Sequence, residues 1–177
     1  MSSTGSGVFS VYASSVIDAP RDTVWKALLD FQSYGEWNPF VHAQVLVNDS
    51  NQPLPDQNPT EGQRLLQSVH IPPTLDGKAK PTRNLEILTH VDHRERCLAW
   101  RFASPAHCLL RAERWQTLHI SASDGSTRYE TWEVFGGLLA YLLRFFMRDK
   151  LEESFEAMTM ALKARAEQTN EEGNPSV

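Results

Sequence analysis

The stretch from Ile17 to Phe40, IDAPRDTVWKALLDFQSYGEWNPF, packs a strand end, a helix and a tryptophan-bearing turn into two dozen residues, and so narrows the architectures open to the chain. A strand over 8–17 runs into Ala19-Pro20, where proline is tolerated because the first amides of a helix have no partner within it. Val24, Ala27, Leu28 and Phe31 then fall at i, i+3, i+4 and i+7, with Arg21, Asp22 and Lys26 elsewhere on the wheel. One helix face is thus built to bury against a sheet. Asp22 in the first turn suits the positive end of the helix. A short helical or turn piece over 31–34 is closed by Gly35. Trp37-Asn38-Pro39-Phe40 then leads into a second strand over 41–47, since the residue before a proline is turned away from helix.

The remainder reads mainly as hairpins. Strands are expected over 62–71, 82–91, 97–103, 109–121 and 126–135. Leu85, Ile87, Thr89 and Val91 share one face of the second of these, and Leu98, Trp100 and Phe102 one face of the third, which is the period of a sheet. The segments 48–60 and 72–81, rich in Asn, Asp and Pro, read as loops. Asp92-His93-Arg94-Glu95 joins one hairpin, and Ser123-Asp124-Gly125-Ser126 turns the last, Asp-Gly being a strong hairpin signal. After Gly136-Gly137 the spacing becomes helical. Met147, Leu151, Phe155, Met158 and Leu162 follow at intervals of four, four, three and four, predicting one long amphipathic helix from Leu138 to about Glu167.

At 177 residues the chain has room for one domain with a real core. The expected organisation is a flexible leader over 1–7, one domain over 8–167 and a disordered tail over 168–177. Helices gathered on one side of an antiparallel sheet make an α+β class. A formal net charge of −5, with Lys and Arg scattered among acids, argues against nucleic acid as a partner. The apolar run from Gly136 to Met147 falls well short of the ~20 residues that cross a bilayer. It has few basic flanks for a membrane surface, and its part over 138–146, if exposed, is either a homodimer surface or the lip of a pocket. The opening MSSTGSG has neither basic n-region nor apolar core, so a cytoplasmic protein with Cys97 and Cys108 as reduced thiols is expected.

The histidines at 42, 70, 90, 93, 107 and 119 are dispersed, with no HxxxH or CxxC, so no metal site is expected. The chain carries no GxSxG, P-loop or GxGxxG, and no cofactor is expected. Any chemistry must come from isolated polar groups in an apolar interior. On the strand 126–135, Tyr129, Thr131, Glu133 and Phe135 share one face, and Arg128, Glu130, Trp132 and Val134 the other. On its neighbour, Arg114, Gln116 and Leu118 alternate with Trp115, Thr117 and His119, and the period does not choose the inner face. Trp37, Trp100, Tyr141, Phe145 and Phe146 read as apolar walls.

A set of motifs spread along the chain carries a resemblance. They are Ala19-Pro20 with Val24-Trp25 and Leu28-Leu29-Asp30, Trp37-Asn38-Pro39-Phe40, Gly62-Gln63-Arg64 opening a strand, Leu98-Ala99-Trp100, and Glu133-Val134-Phe135-Gly136-Gly137-Leu138-Leu139. Together they resemble the START-like or Bet v 1-like superfamily, often called SRPBCC, in its polyketide cyclase/dehydrase-like branch. The resemblance implies a helix-grip fold: a curved antiparallel sheet of about seven strands around a long C-terminal helix, with two short helices closing one end and an apolar cavity between. It implies binding of a small, largely apolar molecule, polyketide-like or aromatic, and cyclase, dehydratase or isomerase chemistry by acid/base catalysis without cofactor. A carrier of lipid, quinone or sterol is the alternative. A chaperone activator of similar fold would use an exposed surface.

The resemblance favours the Tyr129, Glu133 and Phe135 face as the inner one. Glu133, a carboxylate that desolvation would tune toward neutrality, is the first catalytic candidate. Arg114, if inward, would hold developing negative charge, and His119, if inward, would shuttle a proton. Ligand contacts are expected from Trp37 and Phe40 closing the cavity, from Tyr141 and Arg144 at its mouth, and from His70, Trp100, Tyr129, Phe135 and Phe145.

Overall fold

The computed structural model describes residues 7–103, 108–121 and 125–173. Apart from Gly7, the expected leader lies outside these, as do His107, the first two residues of the Ser123–Ser126 turn and the last four of the expected tail.

Strand β1 (Phe9–Ile17) leads into helix α1 (Arg21–Leu29), then a 3-10 turn (Phe31–Ser33) and helix α2 (Tyr34–Trp37). Six strands follow: β2 (Val41–Val47), β3 (Arg64–Val69), β4 (Thr82–Asp92), β5 (Cys97–Phe102), β6 (Arg111–Ile120) and β7 (Thr127–Gly136). Helices α3 (Leu138–Phe146) and α4 (Arg148–Gly173) close the chain. All seven strands form one antiparallel sheet in the order β1-β7-β6-β5-β4-β3-β2, so only the β1–β7 pairing joins strands distant in sequence. This is the α+β helix grip, with α4 against the inner face.

Alternation decides what faces α4. Phe9, Val11 and Ala13 of β1, Ala112, Arg114, Gln116 and Leu118 of β6, and Tyr129, Thr131 and Phe135 of β7 are all buried, while their strand neighbours point outward. From the helix side Leu151, Phe155, Met158 and Leu162 meet them, at the intervals read from sequence. Burying such a set is the main force holding the grip shut.

The lid end is fixed as the opening sequence implies. Val24 and Leu28 are fully buried, and Tyr34 donates its hydroxyl to the Leu28 carbonyl at 2.7 Å. Asn38 Oδ1 accepts the amides of Phe40 and Val41, which turns the chain into β2. Asp22 Oδ1 accepts from Arg96 Nη2 at 2.8 Å, tying α1 to the β4–β5 connection. At the far edge, the Gln57 amide accepts the Leu46 N–H and donates to the Leu46 carbonyl. A side chain thus stands in for a missing neighbour strand and blunts the β2 edge.

Three expectations need correction. The single long helix is two, because the backbone departs from helical geometry at Met147 (φ −126°, ψ −11°). Helix α4 continues to Gly173, past the end expected near Glu167, so the segment 168–173 is helical rather than disordered. Within β4 the face shared by Leu85, Ile87, Thr89 and Val91 does not persist. The pairing with β5 slips between Leu88 and His90, so Glu86 and Leu88 face the core before the slip and Val91 after it. Gly137 has its own reason. It holds φ +91°, and a Cβ there would stand 2.7 Å from the Leu109 carbonyl oxygen, so only glycine lets β7 turn into α3.

Candidate active site

The antiparallel register sets Glu133 of β7 directly opposite Arg114 of β6, and Arg114 opposite Trp100 of β5. All three point to the inner face. Arg114 is 2% exposed, an unusual place for a guanidinium. It donates from Nε to Thr131 Oγ1 at 3.1 Å and from Nη2 to Met158 Sδ at 3.3 Å. Its cation lies 4.1 Å from the Phe155 ring centre, 5.4 Å from that of Phe40 and 5.7 Å from that of Trp100. Thr131 is itself held, donating to the Trp115 carbonyl at 3.0 Å. Three aromatic faces, a fixed hydroxyl and the Met158 sulfur therefore hold the cation in place.

Glu133 is half-buried on the inner face, and Phe102, Leu110, Leu143 and Met147 are half-buried against the core, Leu143 within α3 and Met147 at its end. At the α1 end, by contrast, Leu28, Leu118, Thr127, Tyr129 and Leu162 are completely buried. Desolvation pushes the Glu133 carboxyl up to about 7, and the attraction of Arg114 offsets part of that rise. Glu86 of β4 faces the same interior. Its burial, reinforced by the charge of Glu133 and opposed by Arg114, pushes it up to about 9.

Polar groups continue toward the closed end. Tyr129 donates its hydroxyl to Gln116 Oε1, and burial raises its pKa, so it stays a neutral phenol. Gln67 donates to Gln44 Oε1 across β2 and β3. His70 is buried, its ring stacked on that of His42 with centres 5.2 Å apart and its Nδ1 3.0 Å from the Thr74 carbonyl. Phe135 stacks on Phe9 at 4.6 Å, and Phe40 leans on Phe155 at 5.7 Å. Trp37, Phe40 and Trp100 are buried as core and wall at once.

The structure separates the sequence candidates. Glu133, Arg114, Trp100, Tyr129, Phe135 and Phe40 come together on the inner face. His119 does not: it is exposed on the outer face, with Nε2 3.6 Å from Glu130 Oε2. Tyr141, Arg144 and Phe145 are also outside, on the solvent side of α3, Phe145 being 81% exposed. That helix sends only Ala140 and Leu143 toward the core, while Tyr141 and Arg144, expected at a cavity mouth, face solvent. Glu86 is the residue that sequence reasoning missed. Its one signal was its place in a strand of β-formers, two residues from Leu88.

Among the described residues no group of three or more His, Cys, Asp or Glu is placed to hold a metal ion. No helix of the described chain is long and apolar enough to cross a membrane.

A family model described as polyketide cyclase / dehydrase and lipid transport matches residues 8–167. The chain belongs to this family. A relative from Penicillium oxalicum strain 114-2, oxopyrrolidines biosynthesis cluster protein O, is 30% identical over 156 residues, covering 76% of this chain and 75% of the relative. Among solved structures, the Zhui aromatase/cyclase of Streptomyces sp. R1128 superposes with a TM-score of 0.67 at 16% identity, covering 90% of this chain and 94% of that one. A START superfamily protein from Mycobacterium smegmatis gives a TM-score of 0.61 at 15% identity, with 90% and 98% covered. At such identities these structures speak for the shared fold. In this member of the family, Arg114 and Glu133 lie on the inner face of the sheet.

Proposed function

We propose that the protein binds a small, oxygen-bearing apolar molecule between its sheet and α4 and catalyses a cyclisation, dehydration or isomerisation by acid/base chemistry without a cofactor. The observation that carries this is the register pair Glu133–Arg114. A carboxyl with a pKa near 7 is suited to take a proton from a carbon beside a carbonyl, since a base works best when its pKa lies near the operating pH. The oxyanion that forms would meet the Arg114 guanidinium, whose position is already fixed by Thr131, Met158 and three rings. Arginine has five N–H donors, and those not spent on Thr131 and Met158 are available to such an oxygen. Trp100, Phe40 and Phe135 would supply the apolar walls.

A carrier of lipid, quinone or sterol would be served by an evenly apolar lining, and a buried cation facing two carboxyls weighs against it. The relative's place in an oxopyrrolidines biosynthesis cluster supports a biosynthetic role. The test uses 4-phenylbutan-2-one, an aromatic ketone, in deuterated water. The protein is expected to speed exchange of the hydrogens beside the carbonyl, and Glu133→Gln to abolish that acceleration. Equal exchange by wild type and Glu133→Gln would remove the base from the account.

A further inference from the structure

Six of the twelve large apolar side chains that stand exposed among the described residues belong to α3, a helix of nine residues. They are Leu138, Leu139, Tyr141, Leu142, Phe145 and Phe146, while only Ala140 and Leu143 turn toward the core. At ~3.6 residues per turn the six fan over an arc of roughly 160°, wider than the ~100° stripe with which a helix packs on its own core. Arg144, the one charged residue of α3, lies outside that arc. Leu109 extends the face past the start of the helix, where its carbonyl accepts the Leu139 N–H at 2.8 Å and its own side chain is exposed. Because these side chains point away from the core, they are not the lip of an interior site.

Tyr141, Phe145 and Phe146 are 63%, 81% and 67% exposed. At ~200 Å² for a whole aromatic side chain they show roughly 400 Å², and the four leucines bring the face to roughly 700 Å². The largest apolar patch of an ordinary monomer is about 300–600 Å², whereas each partner in a stable complex contributes about 800 Å². The face therefore has the area of one side of an interface.

Charge selects the occupant. Arg111 is exposed, and its Nη2 lies 3.0 Å from where a Cβ on Gly136 would stand, so this cation sits beside the start of α3. Asp149 is exposed in the first turn of α4, just past the end of α3. Arg148 next to it is spent on Glu152 of its own chain, with Nε 2.8 Å from Oε1. The face thus has a cation at one end and an anion at the other. A two-fold axis through Leu142, the middle residue of α3, runs two such helices antiparallel and sets Arg111 of each copy against Asp149 of the other. A lipid surface offers no such match. Asp149, Glu152 and Glu153 follow the helix at once, and the chain carries a net charge of −5, the sign of an anionic membrane.

We propose that the protein self-associates as a two-fold dimer through α3, with the apolar face at the centre of the interface and the Arg111–Asp149 pairs at its rim. This is independent of the chemistry assigned to Glu133 and Arg114. Two chains of charge −5 repel one another, so the dimer belongs to the weak end of what such an area supports, largely monomer at about 1 μM and largely dimer at about 100 μM. Unfolding followed at about 1 μM reads the monomer, in which Phe145 stands in water.

Sedimentation equilibrium of the full chain across that range is the test. Wild type should move from the 20.0 kDa of one chain to twice that mass. Leu142→Lys, which sets two like charges on the axis, should stay monomeric throughout, with wild-type circular dichroism and a wild-type melting temperature at about 1 μM. Arg111→Asp and Asp149→Arg should each weaken the dimer roughly tenfold, since every dimer holds two such pairs, and the double variant should regain most of the lost affinity. A wild type still monomeric at about 100 μM overturns the proposal, as does a Leu142→Lys protein that dimerises. If the double variant is no better than the single ones, the antiparallel pairing is wrong. Flotation with phosphatidylcholine vesicles reads the other occupant: a monomer that floats with them, and no longer does so as Leu142→Lys, gives the face to lipid and overturns the dimer.

Discussion

The two ends of the grip are made from the same strands and the same helix, yet they are packed differently. Where α1 closes the sheet, Ile17, Leu28, Leu118, Thr127, Tyr129 and Leu162 have no accessible surface, and the polar atoms of Tyr34 and Tyr129 are bonded to Leu28 and Gln116. At the other end Phe102, Leu110, Leu143 and Met147 are only half-buried against the core, and α3 turns most of its apolar side chains to water. Stability is concentrated at the first end and reactive groups at the second. Such a division lets a site tolerate a desolvated carboxyl, because the rest of the core can bear its cost.

The largest effect that would break this contrast is at the closed end. Leu162→Ala should cost about 2–5 kcal/mol in denaturant unfolding, as filled cores give up little volume. Leu143→Ala, at the open end, should cost about 1 kcal/mol. Equal losses would mean that the open end is as tightly packed as the other.

The pH dependence of stability comes next. Glu133 ionises near 7 in the folded protein and near 4.5 in the unfolded one, so between those values the folded state holds the extra proton. Its contribution is complete below about pH 4.5 and is lost as pH rises through about 7, on the order of 3 kcal/mol at most. Glu86 extends the decline toward about 9. Thermal melts across this range should show falling stability with rising pH, and Glu133→Gln should flatten the slope. A slope unchanged in that variant would mean that Glu133 titrates alike in the folded and unfolded protein.

Smaller effects sharpen the picture. Tyr129→Phe leaves the buried Gln116 carbonyl without its donor and should cost about 1–3 kcal/mol by chemical denaturation. Phe145→Ser should change stability by no more than about 0.5 kcal/mol, since that ring is 81% exposed. A large loss there would show that α3 packs against something in solution.

Much of this was legible from residue spacing and from a resemblance. The α1 face, the helical intervals from Leu151 to Leu162 and the run of hairpins follow from apolar periodicity, because burial is what periodicity records. The inner face of β7 followed from the resemblance and not from pattern, since Trp132 and Val134 make its other face apolar as well. On β6 both faces mix polar with apolar residues, so pattern alone did not choose Arg114 over His119. The register with β7, which spans a turn, made that choice. Glu86 was hidden by the slip after Leu88, which exchanges the faces of β4 midway and makes the Leu85–Val91 alternation a misleading guide. The break at Met147 has no glycine or proline to announce it, so α3 and α4 read as one helix.

Carbon-13 titration of the Glu133 side chain, assigned by its loss in Glu133→Gln, probes the central claim most directly. A midpoint near 7 is expected, rising further in Arg114→Gln, where the stabilising cation is gone. A midpoint near the ordinary 4.5, unmoved by that substitution, would contradict both the burial of the carboxyl and its pairing with Arg114.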